Sequence, residues 1–207
     1  MVKSKYIWIG LGLVVILLGF ILIPRLLVKD YSYNNFEFYK DKEGFWHTMI
    51  NVNGRDTMIT MYYHPREVEN ISIDPGIINV LYNPFVRLLY ITMSPKAPSL
   101  RVVSAIELQK IVGNLLNKRT ILGVTYLPEN RTNKDITVID CGNASLVSPV
   151  FYLVKTNGTT SIDVYGLCIV IHGSTEREIL RAVNALDYRL LGITRWNTTI
   201  QNNQDQE

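Results

Sequence analysis

The sequence has little cysteine and no cluster of basic residues. Only Cys141 and Cys168 occur in 207 residues, and they do not form a C-x-x-C motif, so a redox or zinc site of that type is not expected. Residues 31–207 hold 17 of the 21 Lys and Arg and 17 of the 18 Asp and Glu. A neutral region without a basic patch lacks the electrostatic footprint of nucleic-acid binding, and no nucleic-acid partner is expected.

Charge is also absent from one long apolar segment near the N-terminus. Residues 6–24 contain no charged side chain and lie between Lys5 and Arg25. As a helix rising about 1.5 Å per residue, the segment nearly spans a hydrocarbon core about 30 Å thick. A signal peptide is the alternative, but its apolar region is usually about 7 to 15 residues long and ends in small residues. Residues 1–30 are therefore predicted to form a cytoplasmic stub and an anchor that contacts the bilayer through residues 6–24.

Five N-x-S/T sequons follow this segment, at Asn70, Asn130, Asn143, Asn157 and Asn197. Such acceptors are typical of surface loops in secreted chains, whereas the charges that flank the anchor hardly fix its orientation. The sequons favour a single-pass protein of the cell membrane with a cytoplasmic N-terminus. Residues 31–196 are then an extracytoplasmic, glycosylated domain, and residues 197–207 are a polar, disordered tail.

Both cysteines fall within the predicted extracytoplasmic domain, where oxidation can occur. The sequence therefore predicts a disulfide between Cys141 and Cys168. The alternative is a pair of buried free thiols that act as small apolar side chains.

Two-residue periodicity dominates the first half of the domain. The apolar and β-branched runs 45–52 and 56–63 flank Asn53-Gly54, which is a strong hairpin signal. Further strands are predicted at 86–93, 121–126, 136–140, 150–154 and 162–171.

Helical periodicity appears in two windows, 104–116 and 175–191. The first begins with a capping box from Ser104 to Glu107, and its apolar stripe indicates core packing. The second begins at Thr175, after a His-Gly-Ser-Thr turn that lacks the glycine spacing and lysine of a phosphate loop. The predicted fold is therefore α+β, with an N-terminal transmembrane helix, a mostly antiparallel sheet and two principal helices.

The three histidines do not suggest a metal centre. In the predicted hairpin His47 faces Thr60, and His64 lies about four residue pairs farther along the ladder, too far to share a first-shell metal ligand set. His172 precedes the second helix alone. No metal, cofactor or catalytic residue is therefore assigned.

One short motif indicates an enzyme. The segment 137–141, Thr-Val-Ile-Asp-Cys, resembles the strand-borne TLxTC motif of sortases, which are membrane-anchored cysteine transpeptidases. The resemblance implies Cys141 as the nucleophile and His64 as its acid-base partner. The motif departs from the family at Asp140, and the strand after the cysteine lacks the family's arginine.

A wider resemblance rests on Phe-Glu-Phe at 36–38, the Trp-bearing hairpin, the segment 62–70, the late cysteine pair and Leu-Asp-Tyr-Arg-Leu-Leu-Gly-Ile at 186–193. This combination resembles an uncharacterised family of archaeal single-pass membrane proteins with an extracytoplasmic domain. The resemblance implies an archaeal cell envelope location and no particular chemistry. The sequence as a whole favours a non-catalytic envelope module that binds a partner protein or glycan or assists assembly; a surface enzyme is the alternative.

Overall fold

The computed structural model describes residues 31–52, 54–127 and 136–196. The chain divides into two compact units, residues 1–32 and 33–207, and the elements below belong to the second. Within the described ranges, no helix is long and apolar enough to cross a bilayer. The predicted anchor at 6–24, the sequons at Asn130 and Asn197, and the tail at 197–207 lie outside those ranges.

A three-stranded antiparallel sheet begins the folded unit. It consists of β1 (Tyr39–Lys40), β2 (Trp46–Val52) and β3 (Arg55–Met61), in that order. Val52 pairs with Arg55 across a two-residue turn, and Gly54 in that turn has φ +81°, which glycine adopts without steric cost. The predicted hairpin and its register, with His47 opposite Thr60, are confirmed.

The larger sheet has six strands in the order β4, β8, β9, β7, β5, β6. These are β4 (Ser72–Ile73), β5 (Leu88–Met93), β6 (Arg119–Val124), β7 (Val150–Lys155), β8 (Ser161–Tyr165) and β9 (Cys168–Gly173). Within it, only the β8–β9 pairing is antiparallel, and the other four are parallel. The α+β class is confirmed, but the larger sheet departs from the predicted antiparallel pairing. Its central strands are nearly continuous apolar runs buried on both faces, which is typical of parallel strands.

Four α-helices occur in the described ranges: α1 (Pro65–Val68), α2 (Ile77–Leu81), α3 (Ser99–Leu116) and α4 (Glu176–Leu190). The two long ones are the predicted principal helices. However, α3 begins five residues before the predicted start, after Pro98, and the Ser104 hydroxyl donates to the Leu100 carbonyl inside the helix instead of capping it. Thr175 caps α4 by accepting from the Glu178 N–H.

Two predicted strands take another form. The run 162–171 is a hairpin of β8 and β9 that turns at Gly166, where φ is +61°. The run 136–140 makes only an isolated bridge between Val138 and Val124. Periodicity identifies 162–171 as one apolar run, but it does not show that the chain reverses direction at Gly166.

The core lies between one face of the six-stranded sheet and helices α3 and α4. Ile91, Phe151, Leu153 and Ile169 are fully buried there. On the opposite face, a segment that carries a 3-10 turn, Cys141–Asn143, packs on β7 and β9 through a smaller apolar cluster. The predicted disulfide between Cys141 and Cys168 is present and fastens this segment to β9.

Candidate functional site

A groove of about 440 Å³ lies between the edge strand β3 and helix α3. We call it the β3–α3 groove. It is lined by the four consecutive strand residues Thr57, Met58, Ile59 and Thr60, together with Val52, Glu107, Lys110, Ile111, Asn114, Leu115 and Leu191. Because successive strand side chains point to opposite faces, four consecutive lining residues show that the groove follows the edge of β3 and not one of its faces.

The helical wall of the groove is a single stripe of α3. Its members at 107, 110, 111, 114 and 115 have the i, i+3, i+4, i+7, i+8 spacing of one helix face. Glu107 and Lys110 form an ion pair at 2.8 Å at one end, and the rest of the stripe is mostly apolar. The predicted core stripe of this helix therefore divides: Leu108 and Val112 are fully buried, while Ile111 and Leu115 are half-buried in the groove.

A buried carboxyl lies close to the charged end of this helical wall. Asp187 on α4 is fully buried, and neither carboxyl oxygen has a hydrogen-bond partner among the described residues. Burial, with a smaller contribution from the negative charge of Glu107, raises the pKa of Asp187 well above its usual range. Lys110 opposes this shift. The protonated form of Asp187 is favoured, since an unpaired carboxylate in this position would be costly.

A chain of three polar side chains crosses the outer face of the three-stranded sheet. Asp41 Oδ2 lies 2.8 Å from His47 Nε2, and His47 Nδ1 lies 3.0 Å from the Thr60 hydroxyl. The hydrogen bond to His47 lowers the pKa of Asp41, which stays ionised and can only accept. The Nε2–H therefore donates to Asp41, and in the neutral ring Nδ1 accepts from Thr60. The order resembles the acid, base and nucleophile of a hydrolase.

The two residues implied by the sortase resemblance are not brought together. Cys141 is bonded to Cys168 and packs on the sheet face opposite the helices. His64 caps α1 and is surrounded by aromatic rings on the hairpin side, with Trp46 at 4.7 Å and Phe38 at 5.0 Å between ring centroids. Cys141 therefore has no free thiol, and His64 does not lie beside it. The structure does not support Cys141 as a nucleophile.

The other predicted site residues have different positions. Asn70, Asn143 and Asn157 are all exposed, as glycan acceptors must be. His172 lies on β9, where its Nε2 is 3.4 Å from Asp163 Oδ2. No cluster of three or more His, Cys, Asp or Glu side chains suited to a metal ion occurs within the described ranges.

The sequence does not predict the β3–α3 groove. The pairing of His47 with Thr60 followed from the hairpin register, but Asp41 reaches His47 through the β1–β2 turn, which has no periodic signal. The sequence pattern places Glu107 only in a capping box and Asp187 only in a helix. Their approach depends on how α3, α4 and the hairpin pack together, which is a tertiary property. Comparisons of the chain with protein-family models, curated proteins and solved structures gave no match.

Proposed function

We propose that this chain is a membrane-anchored envelope protein of an archaeal cell, whose extracytoplasmic domain binds an extended segment of a partner protein in the β3–α3 groove. The membrane anchor at 6–24, the topology and the archaeal source rest on the sequence patterns and the resemblance given above. The observation that carries the binding role is the groove itself, an apolar trough along an edge strand.

The edge of β3 supplies the first part of the argument. The strand is seven residues long and ends the sheet order β1, β2, β3. An edge strand presents unpaired backbone donors and acceptors to which another chain can add as a strand. Most of its side chains are exposed, including Met58 at 54 %, so the described fold leaves this edge accessible.

The wall of α3 supplies the second part. A strand added to β3 would place alternate side chains against Ile111 and Leu115, and these apolar contacts would give the addition its specificity. The paired charges of Glu107 and Lys110 neutralise each other at one end. The expected partner segment is therefore extended and apolar at alternate positions, with no net charge required.

The experiment compares two variants of one helix. Ile111→Glu places a charge in the groove, whereas Ile106→Glu places the same charge on α3 outside it, at a side chain 38 % exposed. We expect Ile111→Glu to lower recovery of a stoichiometric envelope partner from membranes at least about tenfold, since a buried unpaired charge is costly. Ile106→Glu should retain it. Equal recovery with both variants, or no stoichiometric partner for the unsubstituted chain, would contradict the proposal.

A surface enzyme is the second candidate function, with Thr60 instead of Cys141 as its nucleophile. Thr60 lies in the groove wall and also ends the chain through His47 to Asp41. In such an enzyme Thr60 Oγ1 would attack an acyl carbon while His47 Nδ1 takes its proton. His47 would return that proton to the leaving group, and water would then hydrolyse the ester. A fluorophosphonate probe should label Thr60 in this case, and the label should be lost in His47→Gln. An unlabelled protein would remove this candidate.

A further inference from the structure

A second cavity, of about 450 Å³, has a different chemical character. It forms where the start of the folded unit, the segment after α1 and the segment after α4 converge. We call it the polar pocket, and its lining consists only of polar residues: Tyr33, Asn34, Glu69, Asn70, Thr194 and Arg195. It shares no lining residue with the β3–α3 groove.

Hydrogen bonds between the three segments hold the pocket together. The Asn34 side-chain amide donates to the Ile193 carbonyl at 2.8 Å, and the Tyr33 hydroxyl donates to Glu69 Oε2 at 2.5 Å. Behind the wall, Arg189 Nη2 donates to the carbonyls of Glu69 and Ile71. The pocket is therefore built by side chains from elements distant in sequence and does not depend on one loop.

The lining itself holds one cation and one carboxylate, and Arg189 behind it makes the surroundings of the pocket positive. Glu69 is the one carboxylate in the lining, and the Tyr33 hydroxyl already binds it. Burial and the hydrogen bond to Glu69 raise the pKa of Tyr33 to about 12, so that Tyr33 stays neutral. The guanidinium of Arg195 is in the lining, and that of Arg189 lies directly behind Glu69. Two guanidinium groups, one in the lining and one behind it, thus accompany one carboxylate that is already hydrogen-bonded.

Two donors at this site have no acceptor in the described part of the chain. One is Nη1 of Arg189, a residue only 3 % exposed, and the other is the hydroxyl of Thr194, a residue 5 % exposed. A buried donor without an acceptor costs free energy that a bound acceptor group recovers. Thr194 lines the pocket beside the exposed Arg195, whereas the Arg189 guanidinium lies behind the lining and over the Trp196 ring, 5.8 Å from its centroid.

We propose that the polar pocket binds a phosphate group, held by Arg195 and the Thr194 hydroxyl with the Arg189 guanidinium behind them. A phosphate supplies several strong acceptor oxygens and a negative charge, which match the unpaired donors and the surplus of guanidinium groups. A cation would find a single carboxylate, that of Glu69, whose Oε2 already accepts from Tyr33. The phosphate is either free or part of a lipid headgroup, and the sequence position favours testing lipid, because Tyr33 follows the predicted anchor by only nine residues.

The test uses the full chain and two probes. Inorganic phosphate is titrated calorimetrically against the protein in a neutral detergent. Phosphatidylglycerol is compared with phosphatidylcholine by native mass spectrometry of the protein released from mixed-lipid nanodiscs. Binding of phosphate without lipid preference assigns a free phosphate, and retention of phosphatidylglycerol assigns a headgroup. Failure of the unsubstituted chain to bind either probe overturns the proposal.

Three variants separate the pocket from general surface charge. Arg195→Gln should weaken phosphate binding about tenfold or more, because a charge-assisted hydrogen bond is lost. Arg119→Gln, on the exposed first residue of β6, should leave binding unchanged. Equal weakening by both substitutions would mean that surface charge alone is responsible. Ser72→Ala, on the exposed first residue of β4 outside the lining, removes the sequon at Asn70 and should also bind normally, which would show that a glycan there is not required.

Thr194→Val gives a readout that a structural role would not produce. Valine has nearly the shape of threonine and removes the unpaired buried hydroxyl, so the melting temperature of the free protein should stay equal or rise. Phosphate affinity should nevertheless fall about threefold or more. A lower melting temperature with unchanged affinity would contradict the proposal. Ile111→Glu should not affect phosphate binding, so the proposal for the polar pocket and the proposal for the β3–α3 groove are tested independently.

Discussion

The two sheets of this molecule differ in how completely they are covered. The six-stranded sheet has α3 and α4 on one face and the disulfide-bonded segment on the other, and its central strands are almost fully buried. The three-stranded sheet buries one face only. Its other face exposes Tyr39, Met49 and Met58, each more than half accessible, and its edge β3 borders the groove.

Each sheet is stabilised in a way that suits this difference. The six-stranded sheet is held by apolar packing, a disulfide and an ion pair between Arg101 and Glu176 that joins the starts of α3 and α4. The hairpin is attached at its end, where Asn184 accepts from the backbone of Tyr62 and Tyr63. Incomplete packing beside a rigid scaffold is typical of binding surfaces. We therefore propose that the larger sheet supports the fold and that the smaller one recognises a partner.

The largest expected effect comes from truncating one isoleucine in each region. Ile169→Ala in β9 removes a fully buried side chain and should lower the free energy of unfolding by about 2 to 5 kcal/mol. Ile59→Ala in the half-buried wall of β3 should cost about 1 kcal/mol. Urea denaturation of the full chain in neutral detergent measures both. Equal losses would contradict the division into scaffold and binding surface.

The disulfide should contribute next. Its two cysteines are 27 residues apart, and on the chain-entropy model the loop they close stabilises the fold by about 3 to 4 kcal/mol. The double substitution Cys141→Ser and Cys168→Ser should lose this amount in the same denaturation experiment. Partner recovery through the β3–α3 groove should survive at a temperature where the variant remains folded. Loss of recovery in the folded variant would place Cys141 in the function after all.

Asp187 should make stability depend on pH. Its raised pKa means that the folded state holds a proton more tightly than the unfolded state. The stability associated with that proton is present below the unfolded pKa of about 4 and is lost as pH rises through the folded pKa. At pH 8, Asp187→Asn should therefore raise the free energy of unfolding by about 1 to 3 kcal/mol. Asp163→Asn, at a side chain 43 % exposed, is the control and should change little. A destabilised Asp187→Asn protein would show that the carboxylate has a stabilising partner.

The smallest effect concerns Asp41, whose pKa shifts in the opposite direction. Its lowered pKa is caused first by the hydrogen bond from His47, so its contribution is present above the usual carboxyl pKa and disappears as pH falls through the folded value. His47→Gln should raise the pKa of Asp41 toward the ordinary value. A carbon-detected NMR titration of the Asp41 carboxyl checks this. An unchanged pKa would mean that the β1–β2 turn amides hold the carboxylate without His47.

The regions also differ in how far the sequence predicts them. The hairpin register and the two long helices follow from local patterns, because turn glycines and helical periodicity act over short distances. The disulfide follows from the presence of two cysteines in the folded domain. The parallel order of the larger sheet does not follow, because strands buried on both faces give no alternating pattern. The polar pocket and the groove were not predicted either, since Arg195, Asp187 and Ile111 acquire their roles only from packing between distant segments.

Site-specific photocrosslinking on intact membranes tests the central claim most directly. A benzoylphenylalanine at Met58, which is 54 % exposed beside the groove, is compared with one at Tyr165, which is 63 % exposed on β8 of the larger sheet. The two positions are similarly accessible, so random collision should label them equally. We predict one discrete crosslinked species from Met58, abolished by Ile111→Glu and retained with Ile106→Glu, and none from Tyr165. Crosslinking from Tyr165 alone, or a Met58 product that persists with Ile111→Glu, would contradict the assignment of recognition to the β3–α3 groove.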